Sequence, residues 1–117
     1  MKTAFIILAD TQGTGNLGRV VNALKMAKEM HERGGEVRII FDGAGTKWVG
    51  QLANSKHEYH PLWVQVRSDI AGACSYCSQA FKVEQEVRKA GIALIDEHEG
   101  HPSLHKLLTA GFTVLTF

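Results

Sequence analysis

Cys74 and Cys77 stand three positions apart in the string Cys74-Ser75-Tyr76-Cys77. A thiolate is both a strong nucleophile and a soft metal ligand, and two thiols at this spacing can meet when the residues between them turn into a helix. One sulfur can then attack and the other resolve. An apolar stretch ends just before Cys74 and a helical pattern follows Cys77, so the pair is expected where a strand hands over to a helix. Unpaired N–H groups and the helix dipole favour the charged form there, and such settings lower a free thiol from about 8.5 to roughly 3.5–7.5. Cys74 is therefore the expected reactive thiol, with Cys77 as its partner. The alternative is a pair of buried, inert cysteines in a tight joint.

Other residues offer weaker signals. The histidines are His31, His57, His60, His98, His101 and His105. His101 and His105 lie four apart at the start of the last expected helix, and with His98 and the two cysteines they could furnish zinc ligands. The spacing falls short of a strong zinc signature, and His101, just before Pro102, equally suits a helix cap. Gly13-Thr14-Gly15-Asn16-Leu17-Gly18 matches G-x-G-x-x-G between a strand and a helix, with Asp42 at the end of the next strand. As a nucleotide or phosphate motif it is weak. Asp10-Thr11-Gln12 intervene before the first glycine, and a chain of 117 residues holds about half of a full dinucleotide fold. Asp10 and Asp96 close strands, where carboxylates usually satisfy nearby backbone donors, so neither is assigned a catalytic role. No metal ligand set and no cofactor is assigned.

The elements that must hold these residues follow from apolar periodicity. Thr3 to Ala9, Val37 to Phe41, Ile70 to Ala73, Ile92 to Ile95 and Phe112 to Phe117 read as strands. Between the first two, Leu17, Val20, Val21, Leu24, Ala27 and Met30 recur at helical spacing, with Asn16 as cap and Gly34 as stop. Thr46 is expected to cap a short helix burying Trp48, Val49 and Leu52, and Pro61 to open another burying Leu62, Trp63 and Val66. Ala80, Val83, Val87 and Ala90 fall on one face of a further helix. Pro102 opens a last one carrying Leu104, Leu107 and Leu108. Trp48, Trp63 and Phe81 are expected in the core or at a subunit contact. Strands alternating with helices indicate a largely parallel five-stranded sheet between helix layers, a three-layer α/β/α sandwich in one domain, residues 1–117. Chemistry in such sheets collects outside the carboxyl ends of the strands, where Asp10 to Asn16, Asp42 to Gly45, Cys74 to Ser78 and Asp96 to His101 fall. A thioredoxin fold is not expected, because the strand-helix order starts at the first residues and Pro61 and Pro102 both read as helix starts.

Composition narrows the function classes. Hydrophobic residues make up 44% and charged residues 21%, ordinary globular usage that argues against disorder. Thirteen Lys and Arg face 12 Asp and Glu, so no overall basic field exists to grip nucleic acid or an anionic membrane. The first apolar run, Ala4 to Ala9, is too short for a membrane span or a signal-peptide core. A reducing cytoplasm is the expected location, and there cysteines are more often catalytic or metal-binding than structural.

Three segments together resemble the DsrE/DsrF-like family: Asp42-Gly43-Ala44-Gly45-Thr46-Lys47-Trp48-Val49, Gly72-Ala73-Cys74-Ser75-Tyr76-Cys77 with Ala80-Phe81 and Val83, and Asp96-Glu97-His98-Glu99-Gly100-His101-Pro102-Ser103-Leu104. The resemblance spans nearly the whole chain. It implies a small α/β protein of the sulfur-relay kind, a homo-oligomer built as a trimer or hexamer, with a carrier cysteine after the third strand at the position of Cys74. Cys77 departs from the sulfur-relay members. A neighbouring thiol can strip a persulfide and leave a disulfide. The resulting expectation is a thiol protein that accepts or transfers sulfur as a persulfide on Cys74, with Cys77 as resolving thiol and sulfur donor and acceptor proteins as partners. The alternatives are an oligomeric binding module whose cysteines ligate a metal or stay inert and, more weakly, nucleotide or phosphate binding through Gly13 to Gly18.

Overall fold

A computed structural model describes residues 1–117. Five strands form one sheet: β1 (Lys2–Ile7), β2 (Glu36–Phe41), β3 (Ile70–Cys74), β4 (Leu94–Ile95) and β5 (Thr113–Thr116). Their order is β4-β3-β2-β1-β5, and every neighbouring pair is parallel. Parallel neighbours require crossovers, and helices provide them: α1 (Thr14–Glu32), α2 (Trp48–Ala53), α3 (His60–Val66), α4 (Ser75–Ala80), α5 (Glu84–Lys89) and α6 (Leu104–Thr109). The expected α/β sandwich is therefore what the chain adopts. No helix is long and apolar enough to cross a membrane.

The period of two along each strand divides the core between the two sheet faces. Phe5, Ile7, Val37, Ile39 and Phe41 join Val20, Leu24, Ala27, Trp48, Leu52, Trp63 and Val87 in the larger cluster. Ala4, Ile6 and Ile40 point the other way and meet Leu107 and Phe112 from the α6 region, with Ile95 and Val114 of the neighbouring strands packed at the margin. Helices lie on both faces, as expected, but very unequally. Trp48 and Trp63 are core residues, and the Trp48 indole N–H donates to the Ala9 carbonyl at 2.9 Å.

Several local expectations are corrected. The helix drawn through Ala80, Val83, Val87 and Ala90 is broken into α4 and α5. Lys82 adopts a left-handed conformation, φ 59°, while the Val83 N–H reaches back to the Ser78 carbonyl at 2.8 Å, which closes the first helix before Glu84 starts the second. Phe81 consequently turns outward, 39% exposed, and is not a core residue. Asn16 does not cap α1: the cap position is Gly13, and the Asn16 amide donates to the Gln12 carbonyl from inside the first turn. Thr46 is buried inside a 3-10 turn, Gly43–Lys47, whose cap is the Asp42 carboxylate. Pro102 precedes α6 rather than opening it, because the Ser103 hydroxyl caps the helix by accepting from the Lys106 N–H. The fourth strand shrinks to two residues.

Candidate functional site

The carboxyl ends of three adjacent strands converge. Asp42 follows β2, Cys74 ends β3 and serves as the cap residue of α4, and Cys77 sits in the first turn of α4. His101 arrives from the segment between β4 and α6. That segment folds back on itself through paired His98 and His101, with Glu99 at φ 51° and Gly100 at φ 85°. Left-handed backbone suits glycine, and a Cβ at Gly100 would crowd Tyr76. Two backbone bonds fix the turn: Gly100 N–H to the Asp96 carboxylate at 2.9 Å, and Tyr76 N–H to the Gly100 carbonyl at 2.9 Å.

These supports bring the sulfurs and the imidazole together. Cys74 Sγ lies 3.3 Å from His101 Nδ1, accepts the Cys77 N–H at 3.4 Å and is 3.7 Å from the Gly100 carbonyl. The Tyr76 ring packs on His101 with 4.8 Å between centroids. One carboxylate oxygen of Asp42 accepts the Gly43 N–H at 2.8 Å. A ligating atom from each of Asp42, Cys74, Cys77 and His101 lies within 4.8 Å of the others. Both cysteines are free thiols.

The expectation of an accessible, acidified Cys74 thiol is overturned. Cys74 is 0% exposed, and burial pushes its thiol up to about 12. The Cys77 N–H pulls the other way but loses, while the Cys77 side chain and the nearby Asp42 charge add to the rise. The helix dipole offers little, since α4 ends after six residues. Cys77 and His101 are only half-buried, so the pocket opens on their side.

Sequence reasoning found the two cysteines and included His101 among several candidates. His98 and His105 are exposed and His101 precedes α6, so the three histidines do not share a helix face. Asp42 was missed as a member of the site. Its signal was its place, the first residue beyond a buried strand in a parallel sheet. Asp10 and Asp96 do serve backbone donors: Asp10 accepts the Thr11 N–H and pairs with Lys47 at 3.1 Å, which hold it below the usual aspartate range. Gly15 and Gly18 lie within α1, so the glycine-rich string forms no loop wrapped around a ligand.

Fold and site together define an all-parallel α/β protein with two neighbouring thiols, one buried and one half-exposed, at the carboxyl edge of its sheet. Over 116 residues the chain is 30% identical to the uncharacterized protein MJ0733 of Methanocaldococcus jannaschii, covering 98% of this chain and 94% of that one, and it belongs to the same family. No family model matches. Among solved structures it is similar to the conserved protein of unknown function BT1422 from Bacteroides thetaiotaomicron, with a TM-score of 0.66, 20% identity and coverage of 97% and 94% of the two chains. It also resembles the ychN protein from E. coli, with a TM-score of 0.60, 15% identity and full coverage of both chains. At these identities the two structures establish the fold.

Proposed function

We propose that the chain is a DsrE-like thiol protein that accepts or transfers sulfur as a persulfide, with Cys74 as carrier and Cys77 as resolving thiol. The observation that carries this reading is the meeting of both sulfurs at the β3–α4 junction, with an imidazole nitrogen 3.3 Å from the inner one. His101 Nδ1 takes the Cys74 proton as the thiolate forms, offsetting the burial that disfavours the charge. Because Cys74 is enclosed and Cys77 half-exposed, a donor meets Cys77 first.

The chemistry balances as follows. The Cys77 thiolate attacks the outer sulfur of a donor persulfide, the donor's S–S bond breaks, and the donor leaves as a thiolate. The Cys74 thiolate then takes that outer sulfur and releases the Cys77 thiolate. An acceptor thiolate removes it from Cys74 in the same manner. If Cys77 instead attacks the inner sulfur, hydrosulfide leaves, a Cys74–Cys77 disulfide forms, and an external thiol reductant must return two electrons.

The test is mass spectrometry of the reduced, metal-free chain after incubation with a small persulfide donor. One added sulfur is expected on Cys74, with loading slowed about tenfold or more by Cys77→Ser. Iodoacetamide is expected to modify Cys77 before Cys74. Absence of added sulfur on either cysteine, in protein whose Cys77 alkylates normally, overturns the proposal. The same reading includes a homo-oligomer, sulfur donor and acceptor proteins as partners, and a cytoplasmic location. A second reading, the metal-ligating module, is favoured by the four clustered donors.

A further inference from the structure

The donor cluster has features that sulfur transfer does not use. Persulfide exchange needs two thiols and a base, yet the carboxylate of Asp42 is drawn into the same few ångströms, from a strand different from those that bring the cysteines and the histidine. We infer that Asp42, Cys74, Cys77 and His101 form a four-ligand tetrahedral site for a divalent transition metal of zinc type. The inference goes beyond the sulfur reading and does not depend on it.

The geometry fits such an ion closely. Around zinc, with bonds of about 2.0–2.3 Å, ligand atoms stand roughly 3.3–3.8 Å apart. The Cys74–His101 edge is already 3.3 Å. No pair exceeds 4.8 Å, so the other edges close by about 1.5 Å at most. The donor set selects the metal: two thiolates and an imidazole suit zinc and its neighbours, whereas magnesium and calcium demand oxygen throughout. The C-x-x-C spacing is that of zinc-binding turns. Two thiolates and a carboxylate carry three negative charges beside a neutral imidazole, and a dication reduces that sum to a single one.

The surroundings hold the ligands in advance. The Cys77 N–H points at Cys74 Sγ, the Gly43 N–H holds one Asp42 oxygen, and the Tyr76 ring backs His101. Cys74 closes the floor of the site, and the three half-buried ligands form its entrance. A bound metal would engage both thiolates, so metal and persulfide exclude one another.

The test is titration of the reduced full-length chain with Co2+, followed by displacement with Zn2+. We expect one equivalent of Co2+ with thiolate charge-transfer bands and the intense ligand-field absorption of tetrahedral cobalt, both abolished by Zn2+. Asp42→Ala and His101→Ala should each weaken Zn2+ binding roughly tenfold or more and alter the ligand-field bands. His98→Ala, at an exposed neighbour outside the cluster, should leave affinity within about twofold. Circular dichroism checks that each variant is folded; if Asp42→Ala is not, His101→Ala decides. An octahedral cobalt spectrum, binding below one equivalent, or wild-type affinity in a folded His101→Ala overturns the inference. Sulfur loading is measured on metal-stripped protein, so loading without metal binding sinks this inference alone, and metal binding without loading sinks only the sulfur reading.

Discussion

A thiol at the start of a helix is ordinarily acidified, yet Cys74 behaves in the opposite way because desolvation outweighs one N–H contact and the short α4. Its solvation decides its state: burial holds the proton on the sulfur at neutral pH. A second buried polar group sits on the same helix. Ser78 is fully buried, and its hydroxyl has no hydrogen-bond partner. An unsatisfied buried hydroxyl costs about 1 kcal/mol or more, so Ser78→Ala should leave stability unchanged or raise it by about 1 kcal/mol. Urea unfolding of the reduced protein measures this, and a clear drop in the midpoint would show that the hydroxyl has a partner after all.

At the scale of elements, the site depends on how closely the turn after β2 lies against β1. Gly45 packs directly over the end of β1, where a Cβ would be driven into the Ile7 carbonyl. The backbone there cannot yield without moving Asp42, which caps the same turn. Gly45→Ala should cost roughly 3 kcal/mol and lower the thermal midpoint accordingly. The segment that delivers His101 is tied to α6 by Glu97, which accepts from Lys106 Nζ at 2.8 Å and from the Ser103 N–H at 3.1 Å. The Lys106 contact, then the Ser103 N–H, hold the Glu97 carboxyl below its ordinary value of 4.5. A carboxylate lowered in the folded state adds stability that is complete above pH 4.5 and fades as the pH falls through the folded-state value. Lys106 is largely exposed, so solvent screening limits the effect to about 0.5 kcal/mol. Urea midpoints of the wild type and Glu97→Gln should differ near neutrality and converge in acid; a gap that persists there would refute the coupling.

For the whole molecule, the decisive fact is the asymmetry of the two sheet faces. One face is sealed by several helices, the other by α6 and Phe112 alone. Leu107→Ala should therefore cost about 3 kcal/mol, since no other helix can settle into the space it leaves. Leu104 and Leu108, each 54% exposed, flank it on the outside of α6, and the exposed Leu8 lines a shallow hollow with Leu104 and Leu107 on the same sheet face. Apolar side chains so grouped favour association between copies. Sedimentation is expected to give a multiple of 12.8 kDa, and a species that stays at that mass at high concentration would remove the oligomer from the proposed function.

Much of this was legible in residue order. Short apolar runs ending at Asp42 and Cys74, separated by amphipathic stretches, are sufficient for a parallel sheet, because only helical crossovers can join strands that run the same way. The cysteine pair was legible too, since its spacing is local. The break at Lys82 was not, because Ala80, Val83, Val87 and Ala90 keep helical spacing through it and only a left-handed residue reveals the stop. What the chain determined by itself is thus whatever neighbouring residues decide among themselves: elements, their order and the C-x-x-C turn. The burial of Cys74 and its meeting with Asp42 and His101 were decided only by the tertiary structure, because three strand ends far apart in sequence must be brought side by side before their solvation and distances exist at all.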